Sequence, residues 1–138
     1  MNIDRKFLIW GLCYAALGMV LGIYMALSGN HAQMVTHAHI LMVGFVLSFV
    51  YALIHRLWLH DPGRGIASTQ FVLHQLAAIV LTVGLFLLYG GFVPIEKMDP
   101  ILATGSLCVL AAMLLMLYMA IRFGTAAAVA GRPATSQT

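Results

Sequence analysis

The chain has 138 residues, of which 62% are hydrophobic and 8% charged, and it carries a net charge of +3. A water-soluble domain of this length needs a charged surface that this composition does not supply, which leaves an integral membrane protein. The small positive excess is scattered between apolar runs, so it reads as a membrane-topology signal and not as a nucleic-acid footprint.

Four apolar runs, at residues 7–28, 36–58, 69–90 and 101–123, follow one another in the sequence. Each is about 20 residues long, enough for a helix to cross a bilayer. The expected fold is therefore all-α: a single membrane domain over residues 1–123, with 124–138 as a poorly ordered tail of Ala, Gly, Ser and Thr. The first run is too long for the apolar part of a signal peptide and lacks an A-x-A cleavage site, so it reads as a span. Along it Gly11, Ala15, Gly18, Gly22 and Ala26 form a small-residue stripe that lets another helix approach closely. The loop that follows, Gly29-Asn30-His31-Ala32-Gln33, places His31 in solvent.

The second run opens on Thr36-His37-Ala38-His39, and no Asp, Glu, Lys or Arg occurs anywhere from Phe7 to His55. Ionisable side chains within a lipid-spanning helix are costly unless partnered, so the pair is a candidate site. Residues two apart on an α-helix point about 200° away from each other, so one metal ion does not readily take both imidazoles from one chain. Uniform helical spacing puts Gly44, Ser48 and Ala52 on the face of His37. That recess suits tight helix packing or, alternatively, a flat macrocycle. The face of His39 continues through the bulkier Val43, Val46 and Val50.

His55 follows His37 by 18 residues, on the same face and roughly 27 Å further along. The loop holding His60 and Asp61-Pro62-Gly63 leads into the third run, where His74 is expected at a depth similar to that of His55. The two form a lower-ranked candidate for a second cofactor or metal site, weighed against hydrogen bonding in the headgroup zone. Cys13 and Cys108, on separate runs, suggest core thiols and no disulfide. With four spans both termini share one side, and that side collects Arg5, Lys6, Arg56, Arg64, Arg122 and Arg132, against Lys97 alone opposite. The positive-inside rule places both termini in the cytoplasm of a bacterial inner membrane.

The segment Thr36-His37-Ala38-His39-Ile40-Leu41-Met42-Val43-Gly44-Phe45-Val46, with Ala52-Leu53-Ile54-His55-Arg56-Leu57-Trp58 beyond it, resembles the haem-binding helices of the catalytic subunit of haem-copper oxygen and nitric oxide reductases. That subunit has twelve helices in three four-helix arcs, and this chain is similar in length and topology to one arc. In the family, an H-x-H helix gives its first His to a high-spin haem and its second to a low-spin haem. The other ligand of the low-spin haem comes from another arc, at the position of His37. The resemblance thus implies haem b held between His37 of one protomer and His39 of its neighbour, with Gly44 and Ser48 beside the macrocycle. It also implies a homotrimer that rebuilds the twelve-helix ring. The family's copper ligands, a histidine followed by Pro-Glu and an adjacent His-His pair, have no counterpart here. What is implied is a membrane cytochrome that transfers electrons, with no catalytic residues and with haem held non-covalently, since no C-x-x-C-H motif is present. Its partners are the bilayer, further copies of itself, and a donor and acceptor that the sequence does not specify.

Two other classes compete. Nine methionines, among them Met25, Met34 and Met98 near His31 and His37, offer thioether and imidazole ligands to Cu(I), as in a copper-handling protein. Methionine is also ordinary apolar filler. A small structural subunit of a respiratory complex would have the same composition with unpartnered histidines.

Overall fold

A computed structural model describes residues 2–124. It contains α1 (Ile3–Ser28), α2 (Met34–Leu57), α3 (Arg64–Tyr89) and α4 (Ile95–Phe123), all long and apolar enough to cross a membrane. An α-helix satisfies its own backbone hydrogen bonds, which lipid cannot do, so apolar runs of this length have no better conformation. The chain is thus an all-helical integral membrane protein. Every helix begins ahead of its expected run: in α1, α3 and α4 polar residues such as Asp4, Arg64 and Glu96 extend the first turn outside the hydrophobic stretch, and in α2 Met34 and Val35 do. The tail expected beyond residue 124, Arg132 included, lies outside the described residues. Gly124 itself pairs with Leu59, and the His60 N–H donates to the Phe123 carbonyl at 2.8 Å.

The helices pack in chain order. Gly29 ends α1 with a φ of 66°, a left-handed cap that suits glycine and turns the chain into the short loop to α2. Small residues set the α1–α2 contact: a Cβ on Gly11 would lie 3.4 Å from the Phe45 carbonyl and from Ser48 Cβ. The α3–α4 contact uses the same device, with Gly84 under Leu102 and Met98, and Gly105 under Leu81 and Val80. At the end holding the N terminus, Phe7, Tyr51, Ala52, Met116 and Met119 form one buried cluster.

One irregularity decides the geometry of α2. Residues Ile40–Val46 are π-helical, with the Leu47 N–H reaching back five residues to the Met42 carbonyl. One extra residue in a turn rotates everything after it by about 100° relative to an uninterrupted α-helix. Uniform spacing therefore misplaces Val43. It packs inward beside Tyr14, Ile40 and Ala78, whereas Val46 and Val50 stay open at 40% and 39% exposure. Cys13 also departs from expectation, since it is exposed on the open side of α1. An apolar thiol gains little by turning inward when the surroundings of a spanning helix are apolar as well.

Candidate functional site

The start of α2 is tied to the far end of α3. Gln33 donates from Nε2 to the Phe86 carbonyl at 3.1 Å, Thr36 donates to Gln33 Oε1 at 2.6 Å, and the His37 N–H donates to the Gln33 carbonyl at 2.9 Å. This fixes the first turn, and with it both histidines.

His37 lies half-buried against α1, where its Nδ1–H donates to the Gly18 carbonyl at 2.9 Å. A carbonyl accepts only, so the proton sits on Nδ1. Gly18 already pairs within α1, and the imidazole takes its second lone pair from the side. Gly22, one turn on, makes the approach possible: a Cβ there would sit 3.0 Å from His37 Cε1. His39 bonds back onto its own helix, its Nδ1–H donating to the Val35 carbonyl at 2.9 Å. It is half-buried at the head of the open stripe that runs through Met42, Val46 and Val50. Among the described residues no hydrogen bond reaches Nε2 of either ring. Both rings are thus anchored through Nδ1 with the Nε2 lone pair free, the tautomer and orientation that an imidazole needs to ligate iron.

The two rings do not meet within one chain, in line with their angular separation. Nor does a multidentate centre form: among the described residues no three His, Cys, Asp or Glu side chains stand close enough to hold a metal ion. A cleft of about 680 Å³ opens between α1, α2 and α3 beside Gln33, Thr36 and Phe86, but neither imidazole lines it. The methionines divide between packing and surface, with Met19, Met34 and Met42 exposed. Met25, Met98, Met116 and Met119 are buried, and Met113 Sδ accepts the Tyr51 hydroxyl at 3.6 Å.

The remaining candidate residues are placed differently from the uniform-helix expectation. The Gly44 recess is filled by Tyr14, whose ring would lie 2.5 Å from an added Cβ, so within one chain it serves helix packing. Ser48 is fully buried between α1 and α3; its hydroxyl pairs with His74 Nε2 at 3.1 Å and accepts from Gln75 Nε2 at 3.2 Å. His74 is therefore level with Ser48 and not with His55, because α3 starts at Arg64, five residues before the apolar run. His55 sits two residues from the end of α2, stacked on Phe7 at 5.6 Å. Phe7 also packs against His74, at 5.9 Å between ring centroids. Sequence reasoning passed over Gln70 and Gln75, although polar residues at 70, 74 and 75 in an apolar run mark one face of α3 and were readable as such. No protein family profile, curated protein or solved structure matches this sequence.

Proposed function

We propose that the chain is a membrane cytochrome of b type in which Nε2 of His37 from one copy and Nε2 of His39 from the next bind one haem iron. The observation that carries this reading is the pair of anchored rings, each with Nδ1–H on a backbone carbonyl and Nε2 free, aimed to different sides of α2. Opposed directions in one chain become facing directions across a junction of two copies. His39 supports the reading further by standing on the side of α2 that the chain's own helices leave open. A ring of three copies would make the junctions equivalent. Haem b, when bound, supplies a one-electron couple, and electron transfer is the function that follows. The residues of this chain contribute position: Gly18 and Val35 hold the rings, Gly22 leaves room for one of them, and the Gln33–Thr36–Phe86 bonds fix the turn that carries both. The basic residues at the N-terminal face support a cytoplasmic location for both termini in a bacterial inner membrane.

The test is a reduced-minus-oxidised spectrum and a haem-to-chain ratio on purified protein, wild type beside His37→Ala and His39→Ala. A b-type spectrum lost in either variant is expected, since each removes one axial bond and strands the other imidazole. Full haem content in both variants overturns the reading.

A further inference from the structure

The end of the bundle holding the N terminus carries a second cavity, of about 530 Å³ and lined mainly by polar groups. Asp4 and Lys6 of α1, Arg56 of α2, Asp61 of the loop that follows, and Arg64 and Ser68 of α3 stand on its wall. These residues lie in the end turns of their helices or in the loop, so the cavity sits at the level of the lipid headgroups and not in the hydrocarbon. Trp58, 53% exposed beside it, is the residue type that settles at that level. The volume falls in the range of roughly 300–1,000 Å³ usual for small-molecule sites.

The charges on this wall do not answer one another. Among the described residues the one ion pair is Asp4 with Arg56, and its 3.8 Å separation is beyond hydrogen-bonding distance. Asp4 Oδ1 has no hydrogen-bond partner at all. Lys6 Nζ lies over the Phe71 ring, 5.8 Å from its centroid, and neither it nor Arg64 pairs with a carboxylate among the described residues. The first turn of α3 is open as well. It begins at Arg64 behind Gly63, which has no side chain to cap it, so its N–H groups have no partner within the helix or from a cap. A Cβ at Gly63 or Gly65 would meet nothing within 4 Å, which leaves free space over those amides.

A ligand that satisfies this wall bears both signs. An anion alone leaves the Asp4 and Asp61 carboxylates without a donor, and a cation alone leaves Lys6, Arg56 and Arg64 unmatched. We propose that the cavity binds the phosphoethanolamine headgroup of a membrane phospholipid, with the phosphate taken by Arg64 and the first turn of α3, and the ammonium by the Asp4 carboxylate. The helix N terminus and the guanidinium both favour a phosphate oxygen. The amine has to be primary, because Asp4 lacks hydrogen-bond donors and the quaternary ammonium of choline has no N–H to offer. The position of the cavity selects a lipid over a soluble phosphate ester, since its rim meets the bilayer beside Leu57 and Trp58, both more than half exposed. A headgroup held in this way ties the start of α1 to the start of α3.

The inference stands independently of haem binding and is tested without it. The full chain in detergent is offered equal concentrations of dioleoyl phosphatidylethanolamine, its N-methyl and N,N-dimethyl forms, and phosphatidylcholine, and the lipid retained per chain is read by native mass spectrometry. We expect one phosphatidylethanolamine per chain, with retention falling at each methylation and several-fold lower for phosphatidylcholine. Asp4→Asn should flatten this series, and Arg64→Gln should lower all four lipids alike. Equal retention of the four lipids by the wild-type chain overturns the proposal, and needs no variant to do so. A series that survives Asp4→Asn removes the ammonium from Asp4, and unchanged retention in Arg64→Gln removes the phosphate from α3. Soluble phosphoethanolamine that displaces the lipid at equal concentration overturns the assignment to a membrane lipid.

Discussion

At the scale of single residues, the two imidazoles were legible because lipid makes any ionisable group conspicuous, and the spacing of two already separates their directions. What anchors them was not legible. The Gly18 carbonyl is a backbone atom of another helix, and no side-chain pattern announces it. The Gly44 recess shows the same limit, since what fills it, Tyr14, comes from a helix whose register the sequence of α2 does not encode. Gly22 gives the sharper test. An added Cβ would meet His37 Cε1 at 3.0 Å, so Gly22→Ala should tilt the ring slightly and Gly22→Val should break its bond to Gly18. We expect haem content to fall in that order, with the valine variant near the level of His37→Ala in the reduced spectrum. By contrast Gly44→Ala would place its Cβ 2.5 Å from the Tyr14 ring, an overpacking that typically costs about 1–3 kcal/mol. That variant should lower the thermal midpoint in detergent more than Gly22→Ala does.

At the scale of elements, hydropathy located all four helices and missed their beginnings, because the polar first turns carry no apolar signal although the helix continues through them. Pro100 is instructive. It marks a break to the eye, yet α4 starts at Ile95 and runs through it, since the one carbonyl that the missing N–H leaves over belongs to the exposed Glu96. The π-helical segment of α2 was invisible for another reason: its residues, Ile-Leu-Met-Val-Gly-Phe-Val, are ordinary spanning residues, and the extra residue is accommodated by packing against α1 and α3. Its consequence is large. With His37 and His39 ahead of it and Ser48 behind, the π turn sets the angle between the two groups, so deleting the exposed Met42 should restore α-helical spacing and swing Ser48 about 100° away from His74. The expected outcome is a clear loss of thermal stability in the deletion, measured beside Met42→Ala, which keeps the residue count and should be close to wild type.

At the scale of the whole molecule, the bundle is a thin one. Only 22% of the spanning window of α1 and 17% of that of α4 are buried, and α2 leaves Met42, Val46, Phe49 and Val50 open beside His39. Lipid accepts such a surface, and so does another copy of the chain, so the proposed ring has to be tested by what copies share. His37→Ala retains His39, and His39→Ala retains His37. If ligation crosses a junction between copies, the two variants complement each other when expressed together. Every mixed ring of three has one junction at which an intact His37 faces an intact His39. With equal expression and random assembly, about one site in four should therefore recover haem, although either variant alone binds little. Differently tagged copies, purified in tandem to isolate mixed rings, should raise that share to about one in three. Ligation within a single chain allows no recovery at all, because each chain then lacks one of its two imidazoles whatever its neighbours carry. A haem signal in the mixed preparation no greater than in the separate ones would remove the shared site, and with it the reason for placing His37 and His39 on different subunits.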